Sequence, residues 1–126
     1  MLKKVLSPNT PRPGGHYSQA IIHNDTVYVS GQLPIDTNTG QKQSGKIEEQ
    51  VQRALENLDG VLKAAGSCKD NVIRTTVYIS DIGLWNRVNE TYSKFFGEHK
   101  PARTVVPTKD LHYGLIVEID AIAAII

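Results

Sequence analysis

LIVEIDAIAAII, residues 115–126, is the most hydrophobic stretch of the chain, and its alternation decides the fold. Read as a strand, it points Val117, Ile119, Ala121, Ala123 and Ile125 to one side. Ile116, Ile122, Ala124 and Ile126 point to the other, together with Glu118 and Asp120. A strand that is apolar on both sides belongs to a sheet covered on both faces.

Working outward, residues 71–80 (NVIRTTVYIS) are rich in β-branched types and read as a strand, as does RTVV at 103–106. QAIIHNDTVYVSG, residues 19–31, reads as a hairpin whose turn is His23, Asn24 and Asp25. Lys46 to Ala65 is a helix, with Ile47, Val51, Ala54, Leu58, Val61, Leu62 and Ala65 at three- and four-residue steps and Gly66 as its stop. Gly60 interrupts that pattern at a cost of up to about 1 kcal/mol relative to Ala. A second helix starts near Asp81, buries Leu84, Val88, Tyr92 and Phe95 or Phe96, and ends at Gly97 before Pro101. The order β-β-α-β-α-β-β gives an α+β domain of two layers, one mixed sheet with both helices on one face. Two helices cover only one face, so the second apolar face calls for another copy of the chain.

The length of 126 residues fits a single domain over 1–126. A net charge of +1 with scattered Lys and Arg supplies no field for nucleic acid or membrane. Cys68 is the only cysteine, which excludes an intrachain disulfide and fits a reducing compartment. The N-terminal MLKKVLSPNTP lacks the apolar core of a signal peptide, and no segment reaches the roughly 20 apolar residues of a membrane span, so a cytoplasmic location is expected.

Two charges stand where a sheet buries apolar side chains. Arg103 opens RTVV just after Pro101, and Glu118 interrupts the last strand. A buried charge costs several kcal/mol unless it is paired or solvated. A guanidinium fork suits a small carboxylate, and a Glu whose pKa is raised by burial and lowered by a nearby Arg suits a general base for water. The plainer alternative is one Arg103–Glu118 salt bridge sealing a subunit contact. Tyr17 and Ser30, beside the first hairpin, are candidates to line a pocket, with Gly31 leaving backbone open next to the Ser30 hydroxyl. Asn89 on the second helix reads as a polar or inter-subunit contact. There is no GxSxG, Walker or GxGxxG motif, and His16, His23, His99 and His112 lack zinc-like spacing, so neither a metal nor a cofactor is expected.

HYSQA at 16–20, VYVSGQLP at 27–34, IEEQVQRALENLDGVLKAAG at 47–66, VNETYSKFFGEHKPAR at 88–103 and VEIDAIA at 117–123 resemble the YjgF/YER057c/UK114 (RidA) family over nearly the whole chain. The resemblance implies a chorismate-mutase-like fold and a homotrimer with its sheets packed inside as a barrel. It implies clefts between adjacent subunits, in which Arg103 binds a substrate carboxylate and Glu118 positions water. Tyr17, Ser30, Gly31 and Asn89 would surround them. The implied reaction is hydrolysis of 2-aminoacrylate and 2-aminocrotonate, through their imine tautomers, to 2-keto acids and ammonia, without a cofactor. The chain departs from the family pattern at His16, at Val105 where deaminases often carry Cys, and over PTKDLHYG from Pro107 to Gly114. Those changes border the cleft and bear on substrate size. A non-catalytic 2-keto-acid-binding or regulatory protein is the alternative, followed by a translation-inhibiting endoribonuclease, which the charge balance disfavours.

Overall fold

A computed structural model describes residues 1–126. It contains strands β1 (Leu2–Val5), β2 (Ala20–His23) and β3 (Thr26–Gln32), helix α1 (Ile47–Ala64), β4 (Val72–Ile79), helix α2 (Trp85–Phe96), β5 (Ala102–Pro107) and β6 (Val117–Ala124), with three short 3-10 turns. The strands form one mixed sheet in the order β1-β2-β3-β6-β4-β5. Only β4 and β5 run parallel, joined by the α2 crossover; the other neighbours are antiparallel.

Two expectations are corrected here. The element order has a sixth strand, because LKKV at the N-terminus pairs with β2, Leu2 opposite His23 and Val5 opposite Ala20. Two adjacent lysines hide it in the sequence, yet an edge strand tolerates them because only Val5 is buried. The sheet is also not closed into a barrel. It is an open sheet with β1 and β5 as its two edges.

The core follows from the alternation in β6, where every other residue is buried. Val117, Ile119, Ala121 and Ala123 face the helices and join Val27, Val29, Val77 and Ile79 from neighbouring strands. Val51, Leu55, Leu58 and Leu62 of α1 and Val88, Tyr92 and Phe96 of α2 cover them. The opposite face, carrying Tyr28, Tyr78, Glu118, Asp120, Ile122 and Ala124, has no helix over it, and these residues are half-buried or exposed. Helix α1 begins with Glu48 and Glu49 and ends with Lys63, which complements its dipole. Gly66, at φ +86°, lets the chain leave it. Gly60 does not break α1; a β-carbon there would come within 2.5 Å of the Thr10 Cγ2, so the glycine admits the N-terminal loop against the helix. Helix α2 starts later than expected, at Trp85, because Asp81 caps a 3-10 turn, accepting from the Gly83 N–H at 2.9 Å. No helix is long and apolar enough to cross a membrane.

Two clefts on opposite faces of the sheet

The bulge in β3 organises the first cleft. Val29 pairs with Ala121 and Gln32 with Ile119, so two residues, Ser30 and Gly31, stand against the single Asp120. The extra residue turns both toward the uncovered face of the sheet. Ser30 is pinned there: its N–H donates to the Gln19 carbonyl at 2.9 Å and its hydroxyl to the Ser18 carbonyl at 2.6 Å. Gly31 is where the Glu118 side chain crosses β3. A β-carbon at this position would collide with the Glu118 carboxylate and lie 3.2 Å from its Cγ. The glycine leaves room for this close approach, and a larger residue would have to push the carboxylate aside.

Buried amides hold the walls. Gln19 donates to the Pro11 carbonyl at 2.9 Å and to the Thr10 hydroxyl at 3.0 Å, and accepts from the Ser7 N–H at 2.5 Å, which fixes the proline-rich loop. Asn57 on α1 donates to the carbonyls of Leu33 and Ile35 at 3.0 and 2.9 Å. Between these walls lies a cleft of about 550 Å³ that contains Tyr17, Ser30, Gly31 and Glu118. His112 and Tyr113, from the segment 107–114 expected to border the cleft, line it as well, and so does Arg12, which sequence reasoning had not singled out. Tyr17 is exposed, and its hydroxyl accepts from the Gly14 N–H at 3.2 Å. Tyr113 sits at φ 60°, an uncommon conformation for a bulky residue, with His112 packed edge-on against its ring and the Lys42 ammonium 4.5 Å from the ring centre. Burial holds the Glu118 carboxyl above its ordinary range, and the Asp120 carboxylate adds to this while His112 opposes it. Glu118 forms no salt bridge within the chain.

Arg103 is not in this cleft. It lies on the edge strand β5 in register with Thr75, whereas Glu118 on β6 is in register with Tyr78. The offset is three residues along β4, an odd number, so the two side chains leave opposite faces of the sheet. With two strand spacings between them, their Cα atoms are roughly 14 Å apart. Within one chain the two therefore neither pair nor share a pocket; the salt bridge at a subunit contact and the cleft between subunits that the sequence suggests both concern two chains. Arg103 turns toward α2. Its Nη1 donates to the Asn89 Oδ1 at 2.9 Å, and its guanidinium carbon is 4.8 Å from the Tyr92 ring centre and 5.5 Å from that of Trp85. No carboxylate of the chain pairs with it. A second cleft, of about 410 Å³, opens here between α2 and β5, lined by Asn89, Ser93, His99, Lys100 and Arg103. The sequence signal for Arg103's surroundings was available: Trp85, Asn89 and Tyr92 are spaced i, i+4, i+7 and so share one stripe of α2.

The chain is similar to known proteins over nearly its whole length. A family model described as Endoribonuclease L-PSP matches residues 7–125. A RutC family protein of Pyrococcus horikoshii is 41% identical over 123 residues, covering 98% of each chain. The human 2-iminobutanoate/2-iminopropanoate deaminase is 40% identical over 124 residues, covering 98% of this chain and 90% of the human protein. Among solved structures, E. coli TdcF with bound serine superposes with a TM-score of 0.92 at 32% identity, over 97% of this chain and 98% of that one.

Proposed function

The chain belongs to the YjgF/YER057c/UK114 (RidA) family of reactive-intermediate deaminases, and on that premise we propose that it hydrolyses small 2-imino acids to 2-keto acids and ammonia in a site that two copies of the chain build together. One observation carries the reading. The fold presents an arginine with no acidic partner and a glutamate with no cationic one, on opposite faces of the same sheet. Each half-buried charge lacks its complement within the chain. A substrate carboxylate completes the first, and a water molecule directed at an imine carbon uses the second.

In this reading, the Arg103 fork binds the carboxylate through the donors that Asn89 leaves free. Glu118, across the subunit boundary, takes a proton from water as the oxygen attacks the carbon of the protonated imine. A C–O bond forms and the C=N π pair moves to nitrogen, which gives a neutral carbinolamine. Glu118 passes its proton to that nitrogen, then takes the hydroxyl proton as the C=O bond forms and the C–N bond breaks, releasing ammonia; the proton held by Glu118 returns to solvent. The raised proton affinity of Glu118 places it closer to neutrality, where one group serves as base and then acid. Gly31 gives its side chain room, and Tyr17 and Ser30 shape the wall around the substrate.

The uncovered sheet face supports self-association. Tyr28, Ile122 and Ala124 form a partly exposed apolar surface at its centre. A homotrimer, with the Arg103 cleft of each copy set against the Glu118 cleft of the next, buries that surface and brings the opposite charges together. The human deaminase, 40% identical along 98% of this chain, supports the reaction class.

The test is release of ammonia and 2-keto acid when the protein is added to threonine dehydratase acting on threonine. Acceleration by the natural chain that is lost in Arg103→Ala and Glu118→Ala, with the solution mass unchanged, supports the reading. Binding of 2-ketobutyrate without turnover would replace the enzyme with a ligand-binding protein.

A further inference from the structure

The guanidinium of Arg103 is held mainly by rings rather than by charges. Its only hydrogen bond within the chain is the one to Asn89, which occupies one of five N–H donors. Tyr92 and Trp85, one turn to either side of Asn89 on α2, both bring their rings to the guanidinium. Tyr92 is itself fixed: its hydroxyl and that of Thr75 are 2.7 Å apart in the core, and its ring packs against Phe96 at 4.7 Å between centroids. Trp85 is different. It is 38% exposed at the start of α2 and contributes little to the core. A partly exposed tryptophan that is not needed for packing but lies against a guanidinium without a counterion has a reason to be there.

We propose that Trp85 and Tyr92 are positioning residues for Arg103, an aromatic clamp that sets the plane of the guanidinium so that its free edge meets a carboxylate without first paying for a search among rotamers. The inference deepens the reading of Arg103 as the carboxylate binder and rests on it. The physics favours rings over an acid in this role. An aspartate or glutamate would hold Arg103 equally still, but it would neutralise the charge and occupy the fork that the substrate needs. An aromatic face attracts the cation through its quadrupole and leaves every N–H donor free. Arginine side chains lose substantial rotamer freedom when ordered, and a clamp that orders one in advance removes that cost from the binding step. Asn89 sets the remaining rotation by accepting from Nη1.

Trp85 is the only tryptophan of the chain, so its emission reports on this site alone. The assembled protein is titrated with 2-ketobutyrate while indole fluorescence is followed, and steady-state rates are measured with the dehydratase-generated imine. The natural chain is expected to show a saturable change in emission that disappears in Arg103→Ala. Trp85→Leu is expected to raise KM and the Kd for 2-ketobutyrate about threefold to tenfold, the size of a lost cation–π contact, with kcat within about twofold. The Kd of this variant is read by calorimetry, since the fluorophore is gone. Trp85→Phe, which restores an aromatic face, is expected to recover most of the loss. Unchanged KM and Kd in Trp85→Leu, with binding lost in Arg103→Ala, overturns the clamp and leaves the Arg103 reading standing. Unchanged binding in Arg103→Ala overturns both. A defect confined to kcat, or one that phenylalanine does not rescue, also overturns the clamp, because it describes a structural rather than a positioning role.

Discussion

If Arg103 of one copy and Glu118 of the next build one site, two inactive variants repair each other. Arg103→Ala removes a bidentate, charge-assisted pair; at 1.5–3 kcal/mol per hydrogen bond to a charged group, discounted for overlap, the loss is about 3–4 kcal/mol, or about a hundredfold to a thousandfold in kcat/KM. Glu118→Ala removes a general base, worth about a hundredfold to ten-thousandfold. When the two variants are mixed and allowed to exchange subunits, a site is intact where a chain that keeps Arg103 meets a chain that keeps Glu118. At equal amounts and random assembly, that is about one quarter of all sites, whatever the number of copies in a closed ring. Activity should therefore climb from the background of either variant to about one quarter of the natural value. A second mixture sharpens the result. Natural chain combined with the Arg103→Ala, Glu118→Ala double variant should retain about one quarter of the natural activity per total chain if the site is shared, but about one half if each chain carries its own. The assay is the same coupled release of 2-keto acid, on mixtures carrying two different tags so that exchange is verified by mass. Verified mixed oligomers with no activity above the single variants would refute the shared site, and with it the inference drawn from the opposite faces of Arg103 and Glu118.

Three further outcomes follow from the geometry. Asp120→Asn removes the carboxylate that helps hold the Glu118 carboxyl above its ordinary range, so the acidic limb of the kcat/KM profile should move to lower pH; His112→Ala removes the opposing influence and should move it to higher pH. Gly31→Ala inserts a β-carbon where the Glu118 carboxylate lies, and it should reduce kcat about tenfold or more while the melting temperature changes little, because the strained group is one flexible side chain rather than the backbone. The third concerns stability. The Arg87 guanidinium, bonded to Glu48 at 2.7 and 2.8 Å across the two helices, lowers the Glu48 carboxyl from 4.5 to about 2. A depressed carboxyl contributes stability above its unfolded value that is lost as pH falls through the folded one. The bridge should thus be present at neutral pH and fade between pH 4.5 and about 2, and Arg87→Ala should flatten that part of the stability profile in acid titrations followed by circular dichroism.

Much of the architecture was legible in the residues themselves. The spacing in α1 places that helix within a residue of its observed limits, the stop at Gly97 places the end of α2, and the two-sided alternation places β6 within about three residues. Strand β1 was not legible, because an edge strand of four residues with two lysines has neither alternation nor apolar content to mark it. The late start of α2 was missed because Asp81 is a good cap for either kind of helix, and the sequence does not say which turn it caps. Of the candidate site, Tyr17, Ser30, Gly31, Arg103 and Glu118 could be singled out as residue types able to do chemistry; Trp85 beside Arg103 was not.

By itself, the sequence determined which side chains face which way along each regular stretch of strand, since a period of two is a local property of the backbone. It therefore determined that Glu118 leaves β6 on the side opposite Val117 and Ile119, and that the sheet has an apolar face its own helices do not cover. Only the tertiary structure decided how the strands line up with one another. Register is a relation between segments far apart in the chain, set by core packing and by the bulge at Ser30 and Gly31, and a shift of a single residue reverses a face. That relation offset the rows of Arg103 and Glu118 by three residues of β4, sent one toward α2 and the other toward the open face, and left neither paired with an opposite charge of its own chain.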